Sequence, residues 1–266
     1  MTDLKKIDTY AKKWIKEASD RIKDSFSKEL TIQTKSHAND LVTDIDQATE
    51  RFFIEKINSV FPDHRILGEE GFGDDVQSLE GIVWIIDPID GTMNFVHQQR
   101  NFAISIGIFE DGVGKIGLIY DVVHDELYHA ISGEGAYLND LKIPQMRKTK
   151  LAESILGLNA TWVTENRRID SSLLTPLVKK SRGTRSYGSA ALEIVYVATG
   201  RIDAYLTLRL APWDFAAGLI IIEELGGRAT NLRGEKLNML EGGSVFFANE
   251  ELHDEIMKDY LHNGKW

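Results

Sequence analysis

Apolar residues recur at Leu4, Ile7, Ala11, Trp14, Ile15, Ala18 and Ile22. That spacing predicts an amphipathic helix over residues 3–26. A second stripe, Phe52, Phe53, Ile57 and Val60, predicts a helix over 43–61 that Pro62 ends. The rhythm then changes. Residues 82–86, 102–109, 113–121 and 126–131 read as β-strands, with Glu110-Asp111-Gly112 as a hairpin turn. Beyond residue 150 strands and helices alternate. Strands are expected at 154–158, 184–187, 202–208 and 244–248, and helices at 171–180, 189–199, 214–225 and 250–262. Alternation of this kind predicts layered α/β packing. The expected fold is therefore an α+β lobe over residues 1–145 and an α/β lobe over 146–266. No linker rich in Pro, Ser or Gly separates them, so the two pack tightly enough to count as one domain. There is no internal repeat and no low-complexity segment.

Composition narrows the function classes. The chain has 266 residues, 42% of them hydrophobic and 27% charged, as expected of a globular protein with a sizeable core. The formal net charge of −10 argues against non-specific nucleic-acid binding and against anionic membrane surfaces. An anionic substrate stays open, because bound metal ions invert the local sign. The sequence holds no cysteine, which excludes disulfides, thiol catalysis and zinc–thiolate sites. The charged N-terminal residues and the short apolar runs predict a cytoplasmic protein with no membrane association. No His-Glu-x-x-His pair, dinucleotide fingerprint, Walker-type phosphate loop or Gly-x-Ser-x-Gly elbow occurs.

One stretch carries chemistry. The apolar strand 82–86 leads into Asp87-Pro88-Ile89-Asp90-Gly91-Thr92. The strand thus delivers two carboxylates into a turn marked by Pro and Gly, with no Lys or Arg between Gly81 and Gln99. Carboxylates forced together without a counter-charge raise each other's pKa or recruit a cation. Gly91-Thr92 reads as the start of a helix, where free amides favour an anion. Hard oxygen ligands beside an anion cradle suggest Mg²⁺ and a phosphate ester. Other acidic residues admit two readings each. Glu69 and Glu70, in Gly68-Glu69-Glu70-Gly71, are either a solvated acidic loop or ligands. Asp214 is either an N-cap or a ligand, and Asp44 and Asp46 either complement a helix dipole or act in a site. Thr92 is either a plain cap or a catalytic hydroxyl.

Taken together, the motifs resemble the inositol monophosphatase family. The matching segments are Asp40-Leu-Val-Thr-Asp-Ile-Asp46, Gly68-Glu-Glu70, the run from Trp84 to His97, Gly188-Ser-Ala-Ala-Leu192, the run from Ala198 to Tyr205, and Trp213-Asp214 with Ala216-Ala217-Gly218. The resemblance implies an αβαβα sandwich of the inositol monophosphatase and fructose-1,6-bisphosphatase type, lithium-sensitive and homodimeric, with two or three Mg²⁺ per subunit. It implies that Glu69, Asp87 and the Ile89 carbonyl hold a first Mg²⁺. Asp87, Asp90 and Asp214 hold a second, and Glu69 shares a third, weaker ion through water. Thr92, hydrogen-bonded to Asp46, would help Glu69 activate the attacking water. The Gly91 and Thr92 amides would bind phosphate, and Gly188, Ser189 and Ala190 would line the substrate. Lys35 would fall on a mobile loop near the third metal. The family's inositol-binding Glu lies seven residues before the last metal-binding Asp. Here that position is Thr207, followed by Arg209. Arg209 either pairs with an extra phosphate or carboxylate or is a plain surface strand residue. The expected reaction is in-line attack of water on a phosphate monoester across two ions roughly 4 Å apart. The same chemistry on NADP(H), fructose-1,6-bisphosphate or 3′-phosphoadenosine nucleotides is the alternative. A metal-stabilised regulatory protein without catalysis is a further one.

Overall fold

A computed structural model describes residues 2–27, 31–34 and 41–265. Helix α1 (Leu4–Ser25) opens on Asp3, whose side chain accepts from the Lys6 amide. A short hairpin of β1 (Ile32–Thr34) and β2 (Leu41–Thr43) leads into α2 (Asp44–Val60). Strands β3 (Arg65–Gly68) and β4 (Ile82–Asp90) come next, then α3 (Thr92–Gln98). A meander follows: β5 (Ala103–Glu110), β6 (Val113–Asp121), β7 (Glu126–Ile131), β8 (Gly135–Leu138) and β9 (Leu141–Lys142). The second half runs β10 (Ile155–Leu158), α4 (Ser171–Lys180), β11 (Gly183–Arg185), α5 (Ala190–Ala198), β12 (Ala204–Leu210), α6 (Pro212–Glu224), β13 (Gly227–Thr230), β14 (Gly243–Asn249) and α7 (Glu250–Asp259).

Strands β3 to β9 form one sheet in chain order, antiparallel except for the β3–β4 pair. The second sheet has the order β11-β10-β12-β14-β13 and is mixed, with β10 parallel to both neighbours. Strand alternation assigns the faces. On β4, Trp84 and Ile86 join α1 and α2, whereas Val83 and Ile85 join α5 and α6. On β14, Val245 and Phe247 face α5 and α6, whereas Phe246 and Ala248 face α4 and α7. Three buried clusters therefore join five layers, α1/α2, sheet, α5/α6, sheet, α4/α7, the central cluster filling both sides of α5/α6. This is the expected αβαβα sandwich. The central cluster draws side chains from both halves of the chain, Val83 and Tyr128 with Tyr205 and Phe247 among them.

Several details differ from the sequence expectation. Asp87 to Asp90 is not a free turn: β4 runs to Asp90 and carries a bulge. Asp87 pairs with Ser105 and Asp90 with Ala103, three steps against two. Pro88 lacks a donor and sits where the ladder is interrupted, as prolines in sheets do. The strand expected at 184–187 is Gly183–Arg185, and the last helix ends at Asp259. Strands β1, β2, β3, β8, β9 and β13 were too short to show a period. Helix α6 lies tight on the first sheet because β6 has Gly117: a Cβ there would run into the Ala217 backbone. That approach sets the height of the α6 N-terminus over the end of β4.

Candidate metal and phosphate site

The site forms where β4, α2, α3, α5 and α6 meet. The β4 bulge turns two carboxylates the same way. Asp87 and Asp90 are 1% and 6% exposed. Asp214 arrives from the first turn of α6, where its side chain accepts the Ala211 amide at 2.8 Å. Asp214 is therefore not the N-cap, which is Ala211, but the third residue of α6, reaching back to the cap amide. Ligand oxygens of Asp87, Asp90 and Asp214 all lie within 4.8 Å of one another. Ser105, opposite Asp87 in the ladder, donates to the Trp213 carbonyl at 3.1 Å and ties α6 to the sheet beside it.

The electrostatics follow from this packing. Burial pushes the Asp87 carboxyl well up, and Glu69, Asp90 and Asp214 push the same way. Asp214 is raised by burial and then by Asp90. Burial takes Asp90 to about 6 against the pull of its hydrogen bonds. Those bonds come from the N-terminus of α5: Ser189 Oγ, the Ala191 amide at 2.9 Å and the Ala190 amide at 3.3 Å. Ser189 and Ala190 therefore meet the carboxylate cluster. Gly188 lies one residue earlier, with Asn94 holding that loop: its Nδ2 donates to Tyr187 O at 2.7 Å and to Asn101 O at 2.8 Å. Glu69 reaches the cluster from the end of β3, its amide bonded to Ile86 O at 3.2 Å and its charge acting on Asp87. Glu69 and Glu70 are both half-buried.

Gly91 follows β4 with φ 95°, a conformation that suits glycine, and swings the chain into α3. The α3 ladder starts at Asn94 and Phe95, whose amides bond to Gly91 O, so the Thr92 amide lies ahead of it. Thr92 Oγ1 has two acceptors within reach of its one hydroxyl proton, Asp46 Oδ1 at 3.0 Å and Ile89 O at 3.1 Å. Asp46 is fully buried and forms a capping box with Thr43 at the start of α2. Burial carries its carboxyl to about 6, although the Thr43 bonds oppose this. Asp46 thus sits in the first turn of α2, where Oδ2 accepts from Thr43 while Oδ1 faces Thr92. Thr207 is buried on β12, and Trp162 Nε1 donates to its hydroxyl at 3.0 Å. Arg209 is exposed at the end of the same strand. Lys35 and Asp40 lie outside the described residues.

Three residues of this neighbourhood, Trp162, Glu193 and Glu50, carried no motif signal, and Asn94 lay inside the Trp84–His97 run without an assigned role. Glu193 holds the Tyr187 and Gly188 amides at 2.8 and 3.3 Å, and its carboxyl is carried by burial to about 7. A charged residue inside an otherwise apolar helix was the available clue for Glu193, whereas Glu50 sits in a helix with several other charged residues.

Closely spaced carboxylates that repel one another form a donor set that would suit a divalent cation. A family model described as "Inositol monophosphatase family" matches residues 3–264. The chain belongs to that family of phosphatases. It is 64% identical to the inositol-1-monophosphatase of Bacillus subtilis (strain 168), covering 100% of both chains. Among solved structures, inositol monophosphate-bound SaIMPase-II superposes with TM-score 0.87 at 46% identity, over 96% of this chain and 93% of that one. An IMPase/NADP phosphatase complexed with Mg²⁺ and phosphate gives TM-score 0.89 at 31% identity, over 97% and 95%. Among the described residues no helix is long and apolar enough to cross a membrane.

Proposed function

We propose that this chain hydrolyses phosphate monoesters, inositol monophosphate among them, with Mg²⁺ held by the acidic cluster. The observation that carries this reading is the convergence of Asp87, Asp90 and Asp214 within 4.8 Å in a buried setting. Such a cluster is unfavourable unless protons or cations neutralise it, and an all-oxygen donor set suits Mg²⁺. Glu69, Asp87 and the Ile89 carbonyl would hold one ion, and Asp87, Asp90 and Asp214 a second. A third, weaker one falls to Glu69. When bound, Mg²⁺ supplies charge neutralisation for the phosphate and acidifies water.

The chain's own residues do the rest. The Gly91 and Thr92 amides receive phosphate oxygens. Thr92 donates its one hydroxyl proton toward Asp46, which leaves its lone pairs to accept a proton from the attacking water. Asp46, with Glu69 nearby in charge, draws that proton off. Water oxygen bonds to phosphorus, the ester P–O bond breaks, and the departing alkoxide takes a proton from solvent. Ser189 and the α5 amides fix Asp90, so the Gly188-Ser189-Ala190 loop forms one wall for the alcohol. Thr207 and Arg209, on β12, would tune the choice of alcohol. We also assign a homodimer in the cytoplasm, on the strength of the family likeness and the cysteine-free composition.

A second reading changes the ester and keeps the chemistry. The Thr207 hydroxyl is engaged by the Trp162 indole, so this wall offers a flat ring where a carboxylate would serve a polyol. That favours a nucleotide such as NADP(H) or a 3′-phosphoadenosine nucleotide over a sugar phosphate. Phosphate release measured with inositol 1-phosphate, NADP⁺, fructose-1,6-bisphosphate and a 3′-phosphoadenosine nucleotide decides between them. Mg²⁺-dependent turnover of at least one ester is expected. Silence on all of them at saturating Mg²⁺ contradicts the reading.

A further inference from the structure

Glu50 is fully buried on α2, yet it plays no part in the chemistry above. It lies four residues after Asp46, on the same face of the helix. Its carboxylate points into the loop after β3. Oε2 accepts the Glu70 amide at 2.7 Å and Oε1 accepts the Phe72 amide at 2.9 Å. A Cβ on Gly68 would overlap the same carboxylate, so the chain wraps directly around it. The loop is closed on its far side by Asp74, whose amide donates to Ile66 O at 2.7 Å while its side chain accepts the Ile66 amide at 2.8 Å. Glu69 sits inside this ring, its amide on Ile86 O at 3.2 Å, one residue before Asp87.

We infer that Glu50 is a positioning residue that sets Glu69 for metal binding. This rests on the proposed role of Glu69. Helix α2 then serves the site through two carboxylates one turn apart, Asp46 fixing Thr92 and Glu50 fixing the Glu69 loop. Two amide donors on two oxygens need an acceptor at both ends, which only a carboxylate provides. An amide side chain would turn an NH₂ group against one of the two N–H groups. The loop would pivot about the remaining bond, and Glu69 would lose its alignment with Asp87. Partners of this kind, behind the ligands of a metal site, are worth about 10- to 100-fold in metal affinity when removed.

The test is Glu50→Gln, with Mg²⁺ alone titrated calorimetrically into metal-free protein. Thermal melting runs alongside. The expected result is at least about a tenfold weaker Mg²⁺ dissociation constant. The concentration of Mg²⁺ that half-saturates phosphate release should rise by the same factor, while turnover at saturating Mg²⁺ falls much less. In the Glu69→Gln background the further change from Glu50→Gln should vanish, because the effect passes through Glu69. Unchanged Mg²⁺ affinity in a folded Glu50→Gln variant overturns the inference. So does an undiminished effect in the Glu69→Gln background. Should Glu50→Gln fail to fold, Glu50→Asp keeps the charge, shortens the reach and is judged by the same criteria. Wild-type protein that binds no Mg²⁺ would instead refute the proposed function, which is a separate outcome.

Discussion

Thr92 and Asp87 carry the sharpest residue-level consequences. Thr92 Oγ1 links the end of β4 to Asp46. Thr92→Ala should lower kcat by about 10²- to 10⁴-fold, the range lost with a positioned proton-transfer group. KM should move far less, because the amides remain. Steady-state kinetics separate the two. Asp87→Asn should reduce turnover by orders of magnitude and at the same time raise the melting temperature of metal-free protein. The second effect follows because Asp87 is buried and opposed by Glu69, Asp90 and Asp214. A melting temperature that falls would mean the cluster is not under mutual repulsion. Glu193 makes the opposite contrast. Its carboxyl titrates at about 7, so Glu193→Gln replaces a group already close to neutral. Glu193→Ala strips the acceptor from the Tyr187 and Gly188 amides and should cost roughly 1–3 kcal/mol in denaturant unfolding.

At the scale of elements, the account depends on how close α6 comes to the first sheet. Gly117→Ala puts a methyl group against the Ala217 backbone. Overpacking there should cost about 1–3 kcal/mol and weaken Mg²⁺ binding, since α6 carries Asp214. Denaturant midpoints and Mg²⁺ titration measure both. The same elements show what a reader of the sequence can and cannot extract. Helices α1 and α2 announce themselves by period, because each is long and buries one face, whereas α5, α6 and strand β5 show as nearly continuous apolar runs. The carboxylate run on β4 is legible because charge without a counter-ion is unusual after an apolar strand. Its conformation is not: Pro88 and Gly91 signal a turn, but pairing with β5 draws the segment into a bulged strand. Glu50, Glu193 and Asn94 were hidden for a different reason. Asn94 and Glu50 act on backbone groups of loops distant in sequence, up to 93 residues away for Asn94, while Glu193 holds amides of the loop just ahead of its own helix; no periodic pattern encodes such pairs.

The whole molecule brings its acidic groups together and so links folding, protons and metal. Asp46 and Asp90 have carboxyl pKa values raised to about 6 in the folded, metal-free state, from 3.8. A raised carboxyl holds its proton more tightly when folded. Its contribution is therefore fully present below pH 3.8 and is lost as pH rises through about 6. Mg²⁺ binds the ionised form and removes that penalty. The rise in melting temperature on adding Mg²⁺ should be small near pH 5 and grow toward pH 7.5, with the change centred near 6. A Mg²⁺ effect independent of pH would speak against linked protons. Lithium, a small hard cation that competes for the same oxygens, should inhibit Mg²⁺-dependent phosphate release, as the family likeness implies. The central claim is that Asp87, Asp90, Asp214 and Glu69 share divalent ions at one buried centre. Calorimetric titration of Mg²⁺ into the metal-free protein at pH 6, repeated in two buffers of different ionisation enthalpy, tests it most directly. The account predicts saturable binding with net proton release, abolished or greatly weakened in Asp87→Asn. Equal binding by wild type and Asp87→Asn, or binding that releases no protons, would contradict it.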